Sequence, residues 1–246
     1  MNGKLLPVIP RFEDGEDKTG NPPHPSKVDY LLKKYGHLLA DTVICFEEEP
    51  SMVELILDYG KKVVPIILGD RENVIFDWEE RGYKLNWIRW VLDNADRFEG
   101  VTLGNLCLEV TNHFDKDTPT EKIIDRLLAK FPSLVGKLVL APFHYDVADD
   151  VDVLGYPLRE AMLRAGPWHT IYWGYWFLDQ KVPEMKEWLK PIKVYSGINY
   201  SSGADAHNLP KSLDLGYVGC LFFLPVHSTH SRADELMNLY LTDVRR

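Results

Sequence analysis

Glu109 is the carboxylate whose neighbours say most about its setting. It closes the run Val101-Thr102-Leu103-Gly104-Asn105-Leu106-Cys107-Leu108-Glu109-Val110. Alternate residues of an extended strand point to opposite faces. Leu106, Leu108 and Val110 therefore share one face, and Asn105, Cys107 and Glu109 share the other. If the apolar face meets helices, the polar face turns inward and Glu109 stands at a strand end, partly shielded from water. Desolvation disfavours the charged carboxylate and raises its pKa toward that of a usable general acid. The competing reading is an ion pair with Arg11 or another cation. Cleavage of a glycosidic bond needs a second carboxyl across the sugar. Glu47, Asp146 and Asp179 each end or follow an apolar run and are the candidate partners. Spacing does not choose among them.

Around these acids lies a set of candidate substrate-binding residues: Arg11, Asn105, His144, Tyr145, Trp173, Tyr175, Asn199 and Tyr200. The rings of Tyr145, Trp173, Tyr175 and Tyr200 offer flat platforms for sugar faces, although any one of them serves equally as a core filler. His113, His144, His227 and His230 also follow or end apolar runs. Imidazoles and carboxylates from separate strand ends suit a divalent metal with an open position. Neither HExxH nor a His-x-His pair is present, and no glycine-rich phosphate loop appears, so no metal or other cofactor is expected.

Eight apolar runs must position these residues: Lys4–Phe12, Thr42–Glu47, Lys62–Gly69, Gly100–Glu109, Lys137–Tyr145, His169–Phe177, Ile192–Tyr200 and Tyr217–Val226. Most are followed by a helical pattern. Alternation of this kind predicts an α/β fold, a single (β/α)8 TIM barrel over residues 1–246, with chemistry at the carboxyl ends of the strands. Ser26 reads as an N-cap for a helix ending at Gly36. Ser51-Met52-Val53-Glu54 reads as a capping box for a helix ending at Gly60, and Thr118-Pro119-Thr120-Glu121 repeats that device. Further helices are expected over Trp87–Ala95, Val182–Leu189 and Arg232–Leu241. Trp78, Trp87 and Trp90 read as packing the helix layer onto the sheet rather than stacking on a ligand. Asp146–Asp152 reads as a solvated acidic loop.

Composition narrows the partners. A net charge of −9 over 246 residues argues against nucleic acid, which needs clustered cations. Cys45, Cys107 and Cys220 lie far apart, inside apolar runs and without a CxxC pair, so buried free thiols are expected. No apolar run approaches the roughly 18 residues that span a bilayer, and no leader is recognisable. A cytoplasmic or intracellular location without membrane association is the expectation.

From about residue 55 onward the chain resembles the chitinase-type barrels of glycoside hydrolase family 18. The likeness is carried by Tyr59–Gly69, by Trp87–Leu103 with its Phe98-Glu99-Gly100-Val101 lead into the fourth run, by Lys137–Pro142, by Lys193–Ile198 and by Tyr217–Phe223. The family's Asp-x-x-Asp-x-Asp-x-Glu falls on Glu99, Thr102, Gly104 and Leu106, so one acid remains and the terminal proton donor is replaced by leucine. In other glycosidase barrels an acid/base glutamate ends strand four, where Glu109 stands. Those barrels carry asparagine before it and a second glutamate ending strand seven, where this chain has Leu108 and Asn199-Tyr200. The resemblance implies a carbohydrate-active barrel, a glycoside hydrolase acting on an oligo- or polysaccharide. The vacant motif leaves a catalytically inactive sugar-binding or structural barrel as one alternative, and the strand-end histidines leave a metal-dependent hydrolase or isomerase as another.

Overall fold

A computed structural model describes residues 5–10, 24–67, 85–102, 120–140, 158–172, 189–197 and 208–244. Strands β1 (Leu5–Ile9), β2 (Thr42–Cys45), β3 (Lys62–Pro65), β6 (His169–Tyr172), β7 (Val194–Gly197) and β8 (Gly219–Phe223) form one parallel sheet in the order β3-β2-β1-β8-β7-β6. It curls as a half-barrel. Strands β4 (Val101–Thr102) and β5 (Leu138–Val139) pair in parallel beside it. Two seams carry backbone bonds between the groups. Ile66 bridges Thr102, and the Ile67 N–H donates to the Thr102 carbonyl at 2.9 Å. On the far side the Thr170 N–H donates to the Leu140 carbonyl at 3.0 Å. Every described strand falls within one of the predicted runs.

The runs are apolar at consecutive positions because both strand faces are covered, as parallel sheets require. Leu5, Ile9, Val43, Cys45, Val63, Cys220 and Phe222 pack outward with the helix residues Val28, Leu31 and Ile56. Leu6, Val8, Ile44, Val64, Val139 and Leu221 form a separate inner cluster with Trp168, against which Tyr195 and Phe223 pack. Register keeps the two sets apart: Val8 lies opposite Ile44 on one side and Phe223 on the other. Cys45 and Cys220 are buried free thiols, as expected, and burial pushes both up to about 12. Cys107 lies outside the described residues.

Helix α1 (Pro25–Tyr35) is capped by His24, not Ser26: the His24 Nδ1 accepts from the Ser26 N–H at 3.2 Å. In α2 (Pro50–Asp58) the expected capping box does not form. Pro50 takes the first helical position, where its missing N–H costs nothing, and shifts Ser51 inside the helix. Glu54 instead holds the Arg97 guanidinium through two bonds of 2.7 Å. Then come α3 (Leu85–Asp93), α4 (Thr120–Lys130), α5 (Leu158–Ala165), α6 (Asn208–Asp214) and α7 (His230–Val244). The predicted helix over Val182–Leu189 and the loop Asp146–Asp152 lie outside the described residues, apart from Leu189. First and last helices are clasped at Asp234. Its carboxylate accepts Lys34 Nζ at 2.7 Å, the Tyr35 hydroxyl at 2.7 Å and the Tyr30 hydroxyl at 2.8 Å. The Lys34 ammonium, then these hydroxyls, hold the Asp234 carboxyl down at about 2. Among the described residues no helix is long and apolar enough to cross a membrane.

A lysine device recurs at the amino-terminal ends of the strands. Gly60 and Gly136, both at positive φ (69° and 71°), each precede a lysine that enters the next strand. Lys61 Nζ donates to the carbonyls of Gly36 and Ala40 at 2.8 and 3.1 Å. Lys137 Nζ does the same for Ala95 and Phe98. In both cases the amine ties down the 3-10 turn, Gly36–Leu38 or Ala95–Arg97, that precedes the neighbouring strand. Lys137→Met is expected to lower stability by about 1–2 kcal/mol, because part-buried carbonyls lose a charged donor. Lys62→Met, which removes a part-exposed ion pair with Glu99 and a weaker attraction to Asp41, is expected to cost less than about 1 kcal/mol. Urea midpoints of the two variants, measured side by side, test that ordering.

Candidate functional site

The chain that leaves the carboxyl end of β2 is pinned by its own backbone. The Phe46 N–H donates to the Ile9 carbonyl at 2.9 Å, and the Ile66 N–H donates to the Cys45 carbonyl at 3.1 Å. The Cys45 thiol reaches the Glu47 carbonyl at 3.5 Å. These ties hold Phe46–Glu49 tightly enough to bury two carboxylic side chains, Glu47 at 8% exposure and Glu48 at 6%. Both line a cavity of about 430 Å³ with Glu49, Pro50, Asn86, Trp87 and Trp90.

Helix α3 supplies the aromatic part of the lining. Trp87 and Trp90 stand one helical turn apart, and their rings stack at 5.4 Å between centroids and 17° between planes. The Trp87 indole N–H donates to the Ile66 carbonyl at 2.9 Å, which fixes the ring against the end of β3. Phe98 supports Trp90 from behind at 5.8 Å. The packing role expected of Trp87 and Trp90 is therefore present, and the same rings also wall a cavity. Trp78 lies outside the described residues.

Of the predicted site residues, Glu47 is the one that the described residues include, and it stands where a strand-end acid was expected. Arg11, Asn105, Glu109, His144, Tyr145, Asp146, Trp173, Tyr175, Asp179, Asn199 and Tyr200 lie outside them, as does His113. Glu48, Asn86 and the tryptophan pair were not singled out as site residues. Three consecutive acids after a buried strand, Glu47-Glu48-Glu49, were the available signal. His230, one of the strand-end histidines, stacks on the Tyr30 ring at 4.3 Å. Among the described residues no group of three or more His, Cys, Asp or Glu side chains could hold a metal ion.

Glu99, the one acid kept from the family-18 motif, sits before β4 with its backbone N–H on the Val63 carbonyl. Its carboxylate pairs with Lys62 Nζ at 2.9 Å. Lys62 opens β3, so Glu99 serves the amino-terminal end of the strands, away from their carboxyl ends.

No family model matches the chain, and no curated protein sequence matches it significantly. Solved structures do. The Pyrococcus furiosus tryptophan synthase a2b2 complex gives a TM-score of 0.53 at 11% identity, covering 99% of this chain and 97% of that one. The Amycolatopsis orientalis BexX/CysO complex gives 0.53 at 13% identity, covering 98% and 90%. Rhizobium etli pyruvate carboxylase gives 0.55 at 10% identity, covering 98% of this chain and 26% of that one.

The chain is TIM-barrel-like in fold.

At these identities the likeness carries the fold and no activity. The carbohydrate expectation is corrected by it: these neighbours are not glycoside hydrolases. The physical reason for the error is legible at Glu99, where an acid-Gly-Val lead into a strand serves an ion pair rather than a proton relay.

Proposed function

We propose that the chain closes into a single-domain (β/α)8 barrel and is an enzyme acting on a small molecule, with Glu47 as a proton-transferring group. Support for closure comes from the backbone bonds at both seams, Ile67 to Thr102 and Thr170 to Leu140. Support for the site comes from one observation above the others. Two buried carboxyls, Glu47 and Glu48, line a cavity of about 430 Å³ at the carboxyl end of a strand. Barrel enzymes place their reacting groups at those ends. The volume falls within the ~300–1,000 Å³ typical of small-molecule sites. A carboxyl withdrawn from water is also one whose proton affinity its surroundings can tune to the reaction. Glu109, Asp146 and Asp179 belong to the same proposal as acids from other strand ends that converge on the mouth of a closed barrel.

The test is consumption of small molecules from a cell extract, followed by mass spectrometry, with Glu47→Gln run in parallel. The native chain is expected to deplete at least one compound, and the variant to do so about 10²–10⁴-fold more slowly. Equal depletion by the two proteins removes Glu47 from its role. No depletion by the native chain overturns the enzyme reading.

A further inference from the structure

We draw no further inference here: the strongest candidate, the part-buried Arg159 side chain in the first turn of α5, whose Nε is withdrawn from solvent without a hydrogen-bond partner among the described residues, carries nothing because it stands at a helix amino terminus where no second observation points to a ligand.

Discussion

Gly166→Ala lowers stability by about 3 kcal/mol or more, the upper range for overfilling a packed interior. Gly166 follows α5 and lies directly over β5. A Cβ placed on it would stand 2.2 Å from the Leu138 carbonyl oxygen, 3.1 Å from that carbonyl carbon and 3.3 Å from the Leu138 nitrogen. All three are backbone atoms, so no side-chain rotation relieves the overlap. The strand is also held from its other side. Leu138 pairs with Val101, and the neighbouring Val101 N–H is bonded to the Lys137 carbonyl at 2.8 Å. Moving β5 away from Gly166 presses it toward Gly100, whose own Cβ position is already 2.9 Å from the Lys137 carbonyl oxygen. Two glycines on opposite sides thus let β5 enter the sheet. Gly60→Ala is the control. Gly60 has a positive φ of 69° and nothing within 4 Å of a built Cβ, so its replacement meets only backbone strain, about 1–2 kcal/mol. Urea unfolding of the three proteins gives the comparison. A Gly166→Ala protein within about 1 kcal/mol of the native chain would mean that β5 can shift and that the close approach is not a constraint.

Strand positions were legible because buried parallel strands write themselves as continuous β-branched and apolar runs, and each described strand lies inside one. Their ends were not. Thr42–Glu47 and Tyr217–Val226 continue apolar past Cys45 and Phe223 because Phe46, Leu224 and Val226 pack in the same cores beyond the last ladder bond. Helix α6 was missed for a related reason. Pro210 argues against a helix, yet it lies in the first turn of Asn208–Asp214, where a missing N–H is tolerated. Glu47 could be picked from the chain, since an acid directly after a buried strand is conspicuous. Its companions could not. Asn86, Trp87 and Trp90 join it only because β2 and β3 are neighbours in the sheet, so the start of α3 comes beside the start of α2. The tryptophan spacing announces one helix face and does not say which other element that face meets.

His169 should give the fold a pH dependence that a single substitution removes. The side chain is fully buried at the start of β6, on the outward face of the strand toward α5. Its Nδ1 accepts from the Leu140 N–H at 3.1 Å, so Nε2 carries the proton and donates to the Met162 carbonyl at 2.6 Å. The neutral ring thereby satisfies one donor and one acceptor that burial would otherwise strand, and it ties β5, β6 and α5 together. Burial, the largest influence, drives its pKa down to about 4 from the ordinary 6.5. The unfolded chain therefore binds a proton between those two values that the folded chain refuses. Stability is fully present above about pH 6.5 and is lost as pH falls toward 4, by an amount on the order of 3 kcal/mol. Asp234, held down at about 2, adds its own loss only below that window. Comparison with His169→Gln separates the terms. Glutamine can accept from Leu140 and donate to Met162, but it has no proton to gain. The variant is expected to be less stable at pH 7, by about 1–3 kcal/mol for imperfect bonding in a buried site. Between pH 6.5 and 4 its unfolding free energy is expected to fall much less than that of the native chain, so the two curves converge. Parallel curves across that window would show that the protonated ring is accommodated in the folded state, and the tie between β5, β6 and α5 would then not depend on a neutral imidazole.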